Sequence, residues 1–453
     1  MRNVVPTFIF SLCAAGVACG QLPAAINAGD ATAAPCRVLQ QELQQELREA
    51  ERQAAAQRTV AWLLPKRSAW AMQVESMSRL TAALLTPLCS SPAMIAGLAA
   101  LPFAVVQAAQ PVEVAPDLPT PRPAAFAPSA QNKPMAGEIT PELDLAIRKG
   151  LAALAEMQNE DGSFGGGRFN RNVAVTALGG LAFMGDGHVP GRGQYGPNVE
   201  KALNNVLGMA TEIGLITGDA GNGPMYGHGF ATLFLGEVHG MTGGDDDSLL
   251  AKRTHEALIR ACRLIERTQN AEGGWRYNPV PNDADVSVTI CQIMALRSAR
   301  NAGIEVPKST IDKAVEYVRK CQNEDGGFMY QLPSGVSAWP RSAAGVASLY
   351  YAGIYQDAAL DRGVAYLLKE AMPESRTRSE THYWYGIYYT AQSMYLAGGP
   401  AWESFWTQSR RELLRSQAAS GVWNDPGIGQ AYGTSMALIV LQMPKRYLPI
   451  FQK

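Results

Sequence analysis

Gln269-Asn270-Ala271-Glu272-Gly273-Gly274-Trp275 is the stretch whose reading decides the fold of this chain. Its skeleton is a glutamine, three residues, a glycine, one residue and a large ring. The same skeleton stands at Gln158/Gly162/Phe164, at Gln322/Gly326/Phe328 and at Gln417/Gly421/Trp423. Four copies, each fixed at three positions, mark an internal repeat, and a repeat of this length means an array of supersecondary units. Gln269 and Gln322 lie one unit apart, and the other two gaps are about twice that. Degenerate copies are therefore expected near residues 214 and 370, where Gly214 to Tyr226 and Lys369 to Arg378 form turn-like stretches after helical ones. The repeat thus has six units.

Each unit reads as helix, turn, helix. Ahead of Gln158, apolar residues fall at Leu143, Ala146, Ile147, Leu151, Leu154 and Met157, one face of a helix, and Thr140-Pro141 is an N-terminal signal. Ahead of Gln322 the series is Ile311, Ala314, Val315 and Val318, with Ser309 as the expected cap. After each turn comes a more uniformly apolar segment: Val173 to Phe183, Phe230 to Val238, Val286 to Leu296, Ala343 to Tyr351, Tyr388 to Leu396 and Tyr432 to Leu441. A helix apolar all round must be enclosed. Six such helices inside six amphipathic ones predict an all-α closed double ring, which needs no caps at its ends. Within the motif, glycine permits the left-handed turn that ends a helix, the glutamine amide can bond backbone groups freed there, and the ring packs over both. These twelve motif residues are read as structural.

Composition agrees with extensive buried helix: 47% of residues are hydrophobic and 17% charged. A formal net charge of -1 gives no basic face for nucleic acid. Of seven cysteines, Cys13, Cys19, Cys36 and Cys89 precede the repeats, while Cys262, Cys291 and Cys321 lie in helical patterns and read as buried free thiols. No zinc-knuckle spacing is present, so no metal or other cofactor is expected.

Residues 1–110 read as a targeting region. Arg2 followed by Val4 to Cys19 looks like a short signal peptide. A second candidate begins at Met77-Ser78-Arg79, runs through Met94 to Ala100 and ends in Val106-Gln107-Ala108, placing a signal peptide or membrane anchor at about 77–109 and a mature start near residue 109. Two signals in one chain leave open a true start at Met72 or Met77. Residues 111–137, with Pro119-Thr120-Pro121-Arg122-Pro123, read as an extended tether ahead of the repeat domain at 138–453. The protein is therefore expected to be exported to the periplasm or cell envelope, with membrane contact through the N-terminal segment only.

The repeat resembles that of squalene and oxidosqualene cyclases, and of the β subunits of protein prenyltransferases. The resemblance covers essentially all of residues 138–453 and implies an α/α toroid with its active site in the central cavity, near the starts of the inner helices. The catalytic motifs are incomplete. Squalene cyclases carry Asp-x-Asp-Asp-Thr-Ala, whose central Asp protonates an alkene; the nearest run here is Asp283-Ala284-Asp285-Val286-Ser287-Val288-Thr289. If Asp285 takes the first position, Ser287 replaces the acid; if Asp283 does, Val286 replaces the following Asp. Prenyltransferases hold zinc through Asp-x-Cys and a distant His, and Asp285-Val286-Ser287 puts a hydroxyl where the thiolate belongs.

The candidate site residues are accordingly those at inner-helix starts. Asp285, Asp283 and His382 are the candidates for catalysis; Arg171, Tyr226, His228, Ser287, Trp339, Arg341, Tyr383, Tyr385 and Tyr432 are those for ligand binding, with Arg168, Asn172 and Trp384 beside them. Asp285, Tyr226, His228, Arg341 and His382 are expected to meet in one mouth, where opposite charges would keep Asp285 ionised. Asp245-Asp246-Asp247 reads as a solvated loop. Two functions remain open: a toroid that binds a small-molecule, apolar, peptide or glycan ligand without turnover, and an enzyme, either a divergent terpene cyclase or a polysaccharide lyase. A deep aromatic cavity would favour terpenoids, and an open cleft lined by Arg and Tyr would favour glycans.

Overall fold

The computed structural model of the chain describes residues 137–452, apart from 219–222, 244–247, 374–375 and 377–379. The described residues all belong to the unit Pro111–Lys453. The signal, anchor and tether readings, and the Asp245 to Asp247 run, lie outside the described residues.

Twelve α-helices are described: α1 (Pro141–Glu156), α2 (Val173–Met184), α3 (Gly196–Gly208), α4 (Met225–Thr242), α5 (Leu249–Thr268), α6 (Val286–Asn301), α7 (Lys308–Lys320), α8 (Trp339–Tyr351), α9 (Ala358–Glu370), α10 (Tyr383–Ala397), α11 (Gly399–Ser416) and α12 (Gln430–Gln442). No strand occurs among the described residues, only three isolated bridges. The even-numbered helices form a ring: α2 packs on α4, α4 on α6, α6 on α8, α8 on α10, α10 on α12, and α12 returns to α2. The odd-numbered helices surround it, each bound to the inner helix of its own unit or the one before. This is the α/α toroid that the repeat predicts, with the core lying in and around the inner ring. No described helix is long and apolar enough to cross a membrane.

The motif ties the ring together. Each glutamine amide bridges its own turn and the next outer helix. Gln158 Nε2 donates to the carbonyls of Gly162 and Asn198, Gln269 to Gly273 and Thr310, and Gln322 to Gly326 and Ala359. Gln417 closes the circle, donating to Gly421 and, at 2.9 Å, to Ala146 of the first helix. The motif glycine must be glycine: Gly273 has φ +104°, and a Cβ there would sit 2.1 Å from the Lys313 carbonyl oxygen. Gly214 has the same geometry against Arg260, so the degenerate second turn keeps the glycine, with Ala210 and Ile216 in the places of the glutamine and the ring.

The motif rings are anchored on their inner helices. The backbone N–H of Phe164 donates to Thr176 Oγ1, that of Trp275 to Thr289, that of Phe328 to Ser342 and that of Trp423 to Thr434. Trp275 and Trp423 also donate their indole N–H groups to carbonyls of Ile265 and Leu413. Buried donors are thereby satisfied at every motif turn.

Three inner helices begin earlier than the apolar runs suggest, at Met225, Trp339 and Tyr383. Polar or aromatic residues in their first turns conceal these starts in the sequence. Helix α7 starts at Lys308 after Pro307, so Ser309 lies within its first turn and does not cap it. Thr140 caps α1 as expected, accepting from Leu143 N. Helix α12 packs beside α1 and α2, but the last turn, Pro449–Phe451, tucks against α4, α6 and α10.

Candidate functional site

Every inner helix follows an outer one through a turn, so the inner helices run parallel and their N-termini gather at one end of the ring. Asp285 is the N-cap of α6: its Oδ1 accepts from Val288 N at 2.8 Å. Its Oδ2 faces Arg276, 3.7 Å from Nε, while Asp283 makes a closer ion pair with Nη1 of the same guanidinium. Burial is the larger effect on Asp285. It is fully buried, and its pKa is pushed up to about 6 because desolvation outweighs the cap bond, Arg276 and the Tyr330 hydroxyl. A carboxyl with a pKa of about 6 is still largely ionised at neutral pH, with burial working against the gathered charges.

Tyrosines surround this carboxyl. Tyr226, in the first turn of α4, packs against Tyr277, whose hydroxyl contacts that of Tyr330. Tyr277 and Tyr330 are held over the helix starts through their backbones: Met225 N donates to the Tyr277 carbonyl and Val286 N to that of Tyr330. Tyr385, on α10, reaches across the ring to donate to the Ser287 carbonyl at 3.0 Å. Burial raises the phenol pKa values of Tyr226 and Tyr385 well above 10, so both are neutral donors. Tyr226, Ser287, Tyr385, Tyr277, Tyr330 and Arg276 are all half-buried and form the accessible surface of the mouth.

Below the mouth the ring is filled. Cys291 lies 3.4 Å from the Tyr389 hydroxyl, and Phe230 meets Tyr388 edge-on across the ring at 6.2 Å. Cys291, Tyr388 and Tyr389 are all exposed by 2% or less. Tyr432 of α12 closes the same cluster and is also buried. Desolvation pushes the Cys291 thiol up to about 12, so it is neither a nucleophile nor a ready metal ligand. Cys262 and Cys321 are likewise buried free thiols.

Other expected site residues lie elsewhere. His228 is turned into the wall between α4 and α5: Nδ1 accepts from Ile216 N at 3.1 Å and Nε2 donates to the Ala261 carbonyl at 3.3 Å. It stands where the other units place a Thr or Ser, and burial lowers its pKa to about 4. With both nitrogens occupied it offers nothing to a ligand in the mouth. Arg341 is spent on backbone carbonyls of Phe328 and Val336. Trp339 is buried against Tyr383, with its indole N–H on Thr390 and Arg376 over its ring. Trp384 donates to the Asn424 carbonyl within the wall. His382 is exposed in a left-handed conformation just ahead of α10. Arg171 is exposed and paired with Asp161, and Asn172 caps α2. Arg168 lies over the Phe169 ring.

The sequence reading missed Arg276, Tyr277 and Tyr330. A signal existed: in two successive units a tyrosine follows the motif ring by two residues, as Trp275/Tyr277 and Phe328/Tyr330.

Fold and mouth together define an α/α toroid, the architecture expected from the resemblance to terpenoid cyclases and protein prenyltransferases. No protein-family model matches the chain, and no curated protein does. Solved structures similar to it include the apo type II terpene cyclase MstE from Scytonema, at 16% identity and a TM-score of 0.46 over 68% of this chain and 100% of that one. An inactive variant of the α-1,6-mannanase GH76A of Salegentibacter sp. HEL1_6, in complex with α-1,6-mannotriose, is 9% identical with a TM-score of 0.48, over 66% and 98%. A glycosidase in complex with glucose is 14% identical with a TM-score of 0.45, over 68% and 98%.

Proposed function

We propose that this is an exported toroid that binds a glycan at its tyrosine-lined mouth without cyclising or prenylating anything. The observation that supports this most is the filled ring. A polyene must be enclosed to be folded and protonated, and Tyr388, Tyr389 and Cys291 occupy that space. What is left is a shallow surface of half-buried phenols around Arg276, Asp283 and Asp285. Such a surface offers hydroxyl donors and apolar ring faces together, which suits an amphipathic sugar better than a hydrocarbon. The two carboxylates share one guanidinium, so neither stands free as a nucleophile. A lyase that used tyrosine as a base would need an easily ionised phenol, and Tyr226 and Tyr385 are the opposite.

Calorimetric titration of the full chain with neutral and uronic oligosaccharides, and separately with squalene, tests this. Binding of one oligosaccharide class, weakened about tenfold by Tyr226→Ala, or on the order of 1.4 kcal/mol, is the expected result. A cyclised product from squalene would overturn it, as would failure of every oligosaccharide to bind. One observation favours turnover as a second reading: Asp285, at a pKa of about 6, is poised as a general acid. Asp285→Asn decides between the two: oligosaccharide turnover by the wild type that is lost in the variant while binding is kept makes the site catalytic, and binding with no turnover in either protein leaves it a binding site.

A further inference from the structure

The inner helix α4 and the outer helix α5 bring two histidines together away from the mouth. His239 lies in the last turn of α4, and His255 faces it from the second turn of α5. His239 Nε2 and His255 Nδ1 are 3.2 Å apart, with ring centroids at 4.9 Å and planes inclined by 46°. Both side chains are half-buried.

We propose that His239 and His255 form a two-imidazole site for a late first-row divalent cation, of the Cu²⁺, Ni²⁺ or Zn²⁺ class. Two imidazole nitrogens bound at about 2.0–2.1 Å and a tetrahedral angle stand roughly 3.3–3.4 Å apart, close to the separation found here. The same separation also accommodates a direct hydrogen bond between the two rings, which the ion would replace. The place also favours a cation. His239 sits at the C-terminal end of an eighteen-residue helix, where the partial negative charge of unpaired carbonyls gathers. Imidazole ligands place Cu²⁺ first in affinity. The remaining coordination positions would be open to water, so the ion would act as a clasp between α4 and α5. This departs from the sequence reading, which saw no metal spacing because the two ligands come from different helices.

Cu²⁺ alone, titrated into the full chain, tests the site, with Ni²⁺ and Zn²⁺ as weaker competitors. One equivalent should bind, raise the melting temperature and give an electron paramagnetic resonance spectrum with hyperfine structure from two nitrogens. His239→Gln and His255→Gln keep polar side chains that can still bond to the remaining ring. Each should keep the fold, lower Cu²⁺ affinity at least tenfold and leave one nitrogen in the spectrum. If the wild-type spectrum shows no two-nitrogen species, or if both variants bind as the wild type does, the proposal fails. A wild-type chain that takes up no Cu²⁺ fails it as well.

Discussion

At the scale of single residues, two opposite uses of burial stand side by side. Trp275 is almost fully buried, and its indole and backbone N–H groups each find an acceptor, so its burial is favourable throughout. Trp275→Ala removes a large packed ring and the indole donor to the Ile265 carbonyl, which keeps only the longer bond from the Thr268 hydroxyl. It should cost roughly 3–5 kcal/mol, seen as a lowered urea midpoint. An unchanged midpoint would show that the motif ring is dispensable. Asp285 is the contrary case, a carboxyl whose burial raises its pKa from 3.8 to about 6. The folded state then holds a proton that the unfolded state has lost, so this residue's contribution to stability falls as pH rises from about 4 through 6. Asp285→Asn should remove that part of the slope while its amide oxygen still caps α6. Equal slopes in variant and wild type would mean that the carboxyl is better solvated than its position implies.

At the scale of elements, the turn does what its sequence promised, and more than three letters could say. The glutamine, glycine and ring were legible because one unit repeats them at fixed spacing. Their partners were not: Asn198, Thr310, Ala359 and Ala146 lend only backbone carbonyls, which leave no mark on sequence. The hydroxyl that receives the motif residue's backbone N–H lies eleven to fourteen residues on, a variable spacing that hides the regularity. His228 was misread for the same reason. A histidine at a helix start looks chemical until it is seen to occupy the place of Thr289 and Ser342. The expected meeting of Asp285 with His228, Arg341 and His382 required knowing which way each first turn faces, and helical starts hidden by Tyr, Trp and Pro displaced that count. Tyr226, Ser287 and Tyr385 do converge on Asp285. Gly273→Ala tests the turn itself: with φ at +104° and a carbonyl oxygen in the way, it should destabilise by more than about 1 kcal/mol. Hydrogen exchange should quicken first at the junction of α5 and α7. A melting temperature equal to wild type would show that the neighbouring helix gives way without cost.

At the scale of the whole molecule, the ring has two unlike ends. The inner helices open at their N-termini into the tyrosine mouth, and at their C-termini they are closed by the chain's own last turn. The closure rests on one buried carboxyl. Glu237 of α4 accepts from Ser298 Oγ at 2.7 Å and from the backbone N–H of Ile450 at 3.0 Å. Nothing cationic is paired with it among the described residues, and desolvation raises its pKa from 4.5 to about 7 in spite of those two bonds. The folded state therefore retains this proton over a window in which the unfolded chain has released it. Stability contributed by Glu237 is present in full below about pH 4.5 and is lost as pH rises through 7, by up to about 1.4 kcal/mol per unit. His228 works the other way, because its pKa is lowered to about 4, so the raw profile of the wild type mixes both signs. Comparison with Glu237→Gln separates them. Glutamine keeps an oxygen for the Ile450 N–H and cannot ionise. Relative to wild type, the variant should gain stability steadily between pH 5 and 7.5 in urea titrations. The last turn should also become harder to exchange at the higher pH, where the wild type holds a bare buried carboxylate against it. Parallel stability curves for the two proteins across that range would show that Glu237 is neutral throughout, or hydrated, and that the closed end of the ring is not a source of pH sensitivity.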